Sequence, residues 1–161
     1  PNLELWVYGL MNTPGGKTLP FGKADDQQRL QAFYESAPIA RVNCRKQADG
    51  KVLSKAAMQK HMENYADLLA EQVAMYDADI VLCLGGQGVI VDFLRRHVYT
   101  DLRQVNEHCW HSPSTGVLAV RHYHPCYSVY SRKDMYTSLM RDYQAFLREV
   151  PGFAGRRSAE G

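Results

Sequence analysis

Two histidines bracket a tyrosine and precede a proline in His122-Tyr123-His124-Pro125. An imidazole at a strand terminus can donate to an oxygen that gathers negative charge, and such a donor in a dry site is worth about 2.7–4 kcal/mol. On an extended chain the two rings point to opposite faces, so one of them faces a crevice; His124, nearer the loop, is the expected one. Pro125 sets the direction of the chain just after it. Tyr127, Tyr130, Arg132 and Lys133 follow at once. Aromatic rings and cations in one loop suit insertion into a base stack and contact with phosphates. They equally suit a solvated loop ahead of a helix capped by Asp134.

Asn43 stands at the end of the apolar run Ile39 to Cys44. Its amide offers one acceptor and two donors in a plane, an array that matches the polar edge of a pyrimidine. Capping of the next turn is the other use of such a residue. A third candidate segment carries Asn12, Pro14, Gly15 and Gly16, then Pro20-Phe21-Gly22. Asn12 can orient a water without carrying charge. Phe21 is a platform for a planar ring or a plug for the core. The chain contains neither G-x-x-x-x-G-K-[ST] nor G-x-G-x-x-G, which argues against phosphate-cradle and dinucleotide chemistry.

These residues need elements to aim them. Leu3 to Tyr8 reads as a buried strand ending at Gly9, and residues 10–24 as a loop. Asp25 or Asp26 caps a short helix to about Glu35, and Ile39 to Cys44 is the next strand. Asp49-Gly50 signals a turn. Ser54 caps a long helix to about Tyr76, with Met58, Met62, Tyr65, Leu69, Val73 and Tyr76 at spacings of three and four. Asp79 to Leu84 is a near-continuous apolar strand of the kind covered on both faces. Gly85-Gly86 then turns into a helix from about Gln87 to His97. Residues 99–116 read as irregular, Val117 to His122 as a fourth strand, and the segment to Glu149 as a last helix. Strand and helix alternate four times, which predicts an α/β fold with a central four-stranded parallel sheet between helices. Ligands of such sheets bind beyond the carboxyl ends of the strands, here loops 9–24, 43–53, 85–88 and 122–133.

The chain has 161 residues, 45% of them hydrophobic, enough for one domain over residues 1–150 with a frayed tail at 151–161. A formal net charge of +2 permits contact with a phosphate backbone without demanding it. No apolar run reaches the roughly 18 residues of a membrane span. Cys44, Cys83, Cys109 and Cys126 form no C-x-x-C pair, which suits free thiols in a reducing, intracellular compartment. Cys109-x-His111 is too tight for a usual ligand pair, so no metal is expected.

Taken in order, these segments resemble the uracil-DNA glycosylase superfamily over most of residues 3–149. The matching pieces are Asn12 with Pro14 and Gly15, Pro20-Phe21-Gly22, Asn43, the strand and glycine turn Ala78 to Gly86, and His124-Pro125. The first loop looks closest to the single-strand-selective branch. Thr13 stands between Asn12 and Pro14, and Cys126 stands where a serine is common. The resemblance implies a three-layer α/β/α fold and a DNA-repair hydrolase that flips and excises uracil or a related base. Asn12 would orient the attacking water and His124 would stabilise the departing base. Phe21 would stack on that base and Asn43 would read it. Tyr127 or Tyr130 would fill the gap in the duplex, and Arg132 and Lys133 would hold phosphates. It implies DNA as the partner, no cofactor, no membrane and a monomer. The inserted Thr13 keeps open a second expectation, a non-cleaving protein of this fold that binds nucleic acid or a nucleobase.

Overall fold

A computed structural model describes residues 2–44 and 54–153, at Gln87 by its backbone alone. The expected turn at Asp49-Gly50 lies outside the described residues. The elements in chain order are α1 (Asn2–Met11), α2 (Phe21–Ala24), α3 (Gln27–Ser36), α4 (Lys55–Asn64), α5 (Ala66–Met75), β1 (Ile80–Leu84), α6 (Val89–His97), β2 (Arg103–Asn106), β3 (Cys109–His111), β4 (Leu118–His122) and α7 (Arg132–Glu149). The fold is mixed α/β, with one four-stranded sheet in the order β1-β4-β3-β2 flanked by helices. The described chain divides into two units. One holds residues up to Ile39, Val105–Cys109 and the chain from Tyr123; the other holds Ala40–Gln104 and Trp110–His122.

In the first unit the expected strand Leu3 to Tyr8 is instead the middle of α1. Apart from Glu4 the run is apolar, so a buried strand and a buried helix look alike in it. The burial pattern decides. Leu5, Trp6, Gly9 and Leu10 are buried at the helical spacing i, i+1, i+4, i+5, together with Val7 between them. Gly9 is therefore a contact residue and no strand terminator. A Cβ built there would stand 2.7 Å from Cε2 of Tyr136 and 2.9 Å from the Met140 side-chain tip. The missing side chain lets α1 lie close on α7.

α7 offers Met135, Tyr136, Leu139, Met140, Tyr143, Phe146 and Leu147 as its buried face, an i, i+3, i+4, i+7 stripe. Its N-cap is Ser131, whose Oγ accepts from the Asp134 amide at 3.0 Å. The expected cap, Asp134, is the third residue in, where its carboxylate still favours the positive end of the helix dipole. The end of the described chain is anchored: Phe153 is buried, with its ring 5.1 Å edge-on from Phe146. The start of the expected frayed tail is thus part of the core. Asp26 caps α3 by accepting from the Arg29 amide at 3.0 Å.

In the second unit β1 and β4 pair in parallel, with Ile80 opposite Leu118 and Leu84 opposite His122. They are the two expected strands that the structure contains. Leu118, Ala119 and Val120 are all fully buried, so β4 is covered on both faces. Cys83, Val91, Leu94, Tyr99, Leu102, Trp110, Val117 and Ala119 form one buried cluster. The expected strand Ile39 to Cys44 takes no place in the sheet. Its alternate residues Val42 and Cys44 pack on the cluster of Met62, Leu69, Val89 and Phe93, which is a strand-like pattern with no ladder. The long helix after Ser54 is two helices that meet at Tyr65, whose φ of −115° and ψ of 25° leave the helical region. Ser54 caps the first by accepting from the Ala57 amide at 3.1 Å. Glu63 ties α4 to α6, accepting from Arg96 Nη2 at 2.6 Å and lying 3.0 Å from His97 Nε2.

The segment 99–116, expected to be irregular, carries β2 and β3. Each strand runs across the division between the units. The two-residue link Glu107-His108 permits only an antiparallel pair, as does the short link from β3 to β4, because parallel neighbours need a crossover of a dozen residues. The sheet is thus mixed, and the all-parallel expectation is corrected. The β3–β4 turn closes on Ser112, fully buried, whose Oγ donates to Asp101 Oδ1 at 2.6 Å. The other Asp101 oxygen accepts from the Ser114 amide at 2.8 Å.

Two outcomes follow from this packing. In Gly9→Ala the better helix propensity of Ala, about 1 kcal/mol, opposes an overpacking cost of about 1–3 kcal/mol. The Met140 tip can move, but the buried Tyr136 ring is also tied by its hydroxyl to the Leu19 carbonyl at 2.8 Å. Overpacking wins, and the thermal midpoint should fall by a few degrees. The second outcome concerns acid. Bonds from Ser112 and Ser114 hold the Asp101 carboxyl at about 2, below its ordinary 3.8. A depressed folded value means stability that is complete above 3.8 and lost as pH falls toward 2. Urea midpoints should therefore drop more steeply through that window in the natural protein than in Asp101→Asn.

Candidate functional site

The segment between β4 and α7 carries the residues with the most evident capacity to bind. It leaves the sheet at His122, which is buried, and enters the first unit at Tyr123. A turn follows: the Tyr127 amide donates to the His124 carbonyl at 2.9 Å. Asn2 Nδ2 pins the Pro125 carbonyl at 2.9 Å. The Cys126 amide donates to His124 Nδ1 at 3.2 Å. With Nδ1 accepting, the neutral ring carries its proton on Nε2, so the exposed imidazole presents a donor.

Three tyrosine rings gather on this turn. Tyr123 and Tyr127 are stacked at 5.1 Å with planes 8° apart. Tyr130 lies 5.4 Å from the first and 6.0 Å from the second. None is buried: the exposures are 36%, 40% and 50%, and Val129 among them is 71% exposed. An exposed cluster of large apolar side chains marks an interaction surface more often than a stability device. Tyr127 and Tyr130 were expected from sequence; Tyr123 and Val129 were not. The available signal was the shared spacing of the three tyrosines at 123, 127 and 130.

The two cations of the segment differ. Lys133 is exposed. Arg132 is committed: Nη2 lies 2.8 Å and Nε 3.2 Å from Oδ1 of Asp25, and Nη1 lies 3.5 Å from Asn2. It joins the starts of α7 and α1 to the end of α2.

Asn12 is half-buried and closes α1. Its Nδ2 donates to the Tyr8 carbonyl at 2.8 Å, which is C-terminal capping. Phe21 opens α2, half-buried and edge-on to Tyr136 at 6.0 Å. Asn43 belongs to the other unit and is exposed on the segment outside the sheet. The expected buried strand-end amide is thus corrected. In that unit the carboxyl end of β1 carries Gly85, Gly86 and Gly88, with φ of 73°, 71° and 89°. These values favour glycine, and they turn β1 into α6 as the sequence suggested.

Two grooves lie wholly in the first unit. One of about 620 Å³ runs beside Tyr8, Lys23 and Asp25 to Arg29. Its carboxylates are paired: Asp26 faces Arg29, and Asp25 holds Arg132. The other, of about 370 Å³, lies between residues 18–21 and α7 and includes Phe21, Arg141 and Arg148. Burial raises the thiols of Cys83 and Cys109, the second to about 12, so neither is a ready nucleophile. Among the described residues no cluster of His, Cys, Asp or Glu suits a metal ion, and no helix is long and apolar enough to cross a membrane.

No family model, no curated protein and no solved structure matches the chain.

The two cations predict different phenotypes. Arg132→Ala removes a partly exposed ion pair and should cost about 1 kcal/mol of stability. Lys133→Ala should leave stability within about 0.5 kcal/mol, visible as an unchanged urea midpoint.

Proposed function

We propose that the protein binds nucleic acid through the segment from Tyr123 to Lys133, with unpaired bases stacking on the tyrosine cluster. The observation that carries this reading is the trio of exposed rings, two of them already parallel, flanked by His124 and Lys133. Stacking of a base on such a ring is worth about 1–3 kcal/mol and is tolerant of sequence, because every base has a π face. Lys133 supplies a phosphate contact, and the His124 Nε2 proton supplies a further donor.

Kinship with the uracil-DNA glycosylase superfamily, with its three-layer fold, remains part of the proposal. The parallel β1–β4 pair, the glycine turn after β1 and the His-Pro after β4 support it. Within that kinship the non-cleaving member is the better reading. Asn12 ends a helix and gives an N–H to it, and Asn43 is exposed outside the sheet. Base excision by Asn12 and His124, with Phe21 and Asn43 holding the base, is the alternative.

The test measures binding of a short single-stranded DNA and release of uracil from labelled DNA. Binding should weaken about tenfold or more in the double variant Tyr127→Ala/Tyr130→Ala. Lys133→Ala should flatten the dependence of log K on log salt by about one unit. Uracil release should be absent. Release that disappears in Asn43→Ala and His124→Ala would replace this reading with the excising one. Equal DNA affinity in the natural protein and the tyrosine double variant would refute the binding surface.

A further inference from the structure

The tyrosine surface leaves two others unused, and their chemistry is opposite. The first is the groove between residues 18–21 and α7. Its floor is apolar, with buried Met140 and half-buried Leu19. Its rim carries Thr137, Arg141 and Arg148, and no carboxylate lines it. Thr137, Arg141, Gln144 and Arg148 recur at four, three and four residues, so they lie on one face of α7. Gln144 holds the far wall in place: Oε1 accepts from the Thr18 amide at 2.8 Å, and Nε2 donates to the Gly16 carbonyl at 3.1 Å. Arg141 is 72% exposed, with Asp142 3.9 Å away, and that carboxylate is itself engaged by His108 Nδ1 at 2.8 Å. Arg148 is exposed and forms no ion pair or hydrogen bond among the described residues.

The second is the outer face of α5. Leu69 is the buried residue of this helix, with Val73 half-buried on the same side. Leu68 is 46% and Met75 69% exposed, and Tyr76, just past the helix, is 47% exposed. Glu71 follows Leu68 by three residues and precedes Met75 by four, so the three side chains share a face, with Asp67 one turn before Glu71. Asp67 and Glu71 are exposed and form no ion pair or hydrogen bond among the described residues. α5 contains no basic residue. Large apolar side chains standing in water beside two idle carboxylates contribute nothing to their own core, and such a patch marks an interaction surface.

We infer that the α5 face of one copy of this chain docks into the α7 groove of a second copy. The spans agree: Leu68 and Met75 are separated by about 10.5 Å along their helix, as are Arg141 and Arg148 along theirs. With Leu68 and Met75 against the floor of Leu19 and Met140, Asp67 and Glu71 meet the arginine rim, where a guanidinium can grip both oxygens of a carboxylate. Charge commits the contact to unlike faces. Two grooves set together would oppose arginine to arginine, and two α5 faces would oppose acid to acid. A free anion would account for the arginines but for neither the apolar floor nor the α5 face. One helix face buries less than a standard-size interface, so the association is weak, with a dissociation constant on the order of 0.1 mM. It needs no nucleic acid, and it departs from the monomer that the resemblance implies.

The experiment is sedimentation equilibrium of the intact chain, without nucleic acid, over concentrations from about 0.01 to about 1 mM. The mean mass should rise with concentration, and added salt should oppose the rise. The double variants Arg141→Glu/Arg148→Glu and Asp67→Lys/Glu71→Lys should each self-associate about tenfold or more weakly. Mixed in equal amounts, the two should associate again, because each face of one then meets the opposite charge on the other. All four positions are exposed, and far-ultraviolet circular dichroism would verify that both helices are retained. Tyr127→Ala/Tyr130→Ala should associate like the natural protein, which separates failure of this contact from failure of the tyrosine surface. A natural protein that stays monomeric over the whole range would overturn the inference, whatever else the groove binds. So would self-association that survives either charge reversal, or a mixture of the two variants as dissociated as each alone.

Discussion

Gln144 holds the 16–18 segment with both ends of its amide, and it does so from a helix whose opposite side is buried. That pairing organises the first unit. Tyr136 fixes the Leu19 carbonyl from about two turns away, and burial pushes its hydroxyl up to about 12, so it remains a donor at any physiological pH. The Asp142 carbonyl takes the Asn106 amide at 3.1 Å, and its carboxylate takes His108. Arg132 collects Asp25 and Asn2. Short loops would otherwise cost conformational entropy with little apolar burial in return; bonded to one rigid helix, they become walls. Without α7 neither the groove beside Phe21 nor the anchored turn before Ser131 would have a defined shape.

The tyrosine cluster lies at the place where this organisation stops. The buried stripe of α7 begins at Met135, and Ser131 caps the helix just before it. Upstream, the Asn2 bond to Pro125 and the local bonds of His124 set the course of the chain but bury no ring. Mutual stacking shields part of each ring and leaves the rest in water. Three aromatic side chains could have been folded inward onto an apolar face; here they contact each other instead. A surface that is pre-assembled loses less side-chain freedom when a flat partner arrives, which is the physical reason to read it as a platform.

Legibility in the sequence followed the distinctness of the local signal. β1 with its glycine turn, α6, β4 and α7 were readable because periodicity, turn residues and length all agreed there. Leu3 to Tyr8 was not, since an apolar run shorter than two helical turns has no visible period; only the partner, Tyr136 against Gly9, reveals the helix. β2 and β3 were missed because four and three residues are too few to alternate, and Asn106 and His108 hold their link by tertiary bonds to Asp142. Ile39 to Cys44 shows the reverse failure. It alternates like a strand because one side packs, yet among the described residues no neighbour extends a ladder to it. The tyrosine loop and its basic residues were identified from residue types alone, but the commitment of Arg132 to Asp25, more than a hundred positions away, has no local signature. Arg141 and Arg148 went unremarked for the same reason. Their seven-residue spacing acquires meaning only once they and Phe21 are seen to line one groove.

The resemblance in motif order illustrates why order alone underdetermines chemistry. A loop motif acts through the element that precedes it. After a strand, successive side chains alternate toward a crevice; after a helix, the last residues face unsatisfied carbonyls. Asn12 follows a helix, and its side-chain amide joins its own backbone N–H on the Tyr8 carbonyl. The same residue type that could hold a water at the end of a strand becomes a cap. His124 differs because it does follow a strand, β4, and its ring is locked in one tautomer by the Cys126 amide. Of the histidine and asparagine roles that the motif order implies, the histidine is therefore the one whose local element supports a donor, and a donor beside stacked rings serves binding whether or not any bond is cut.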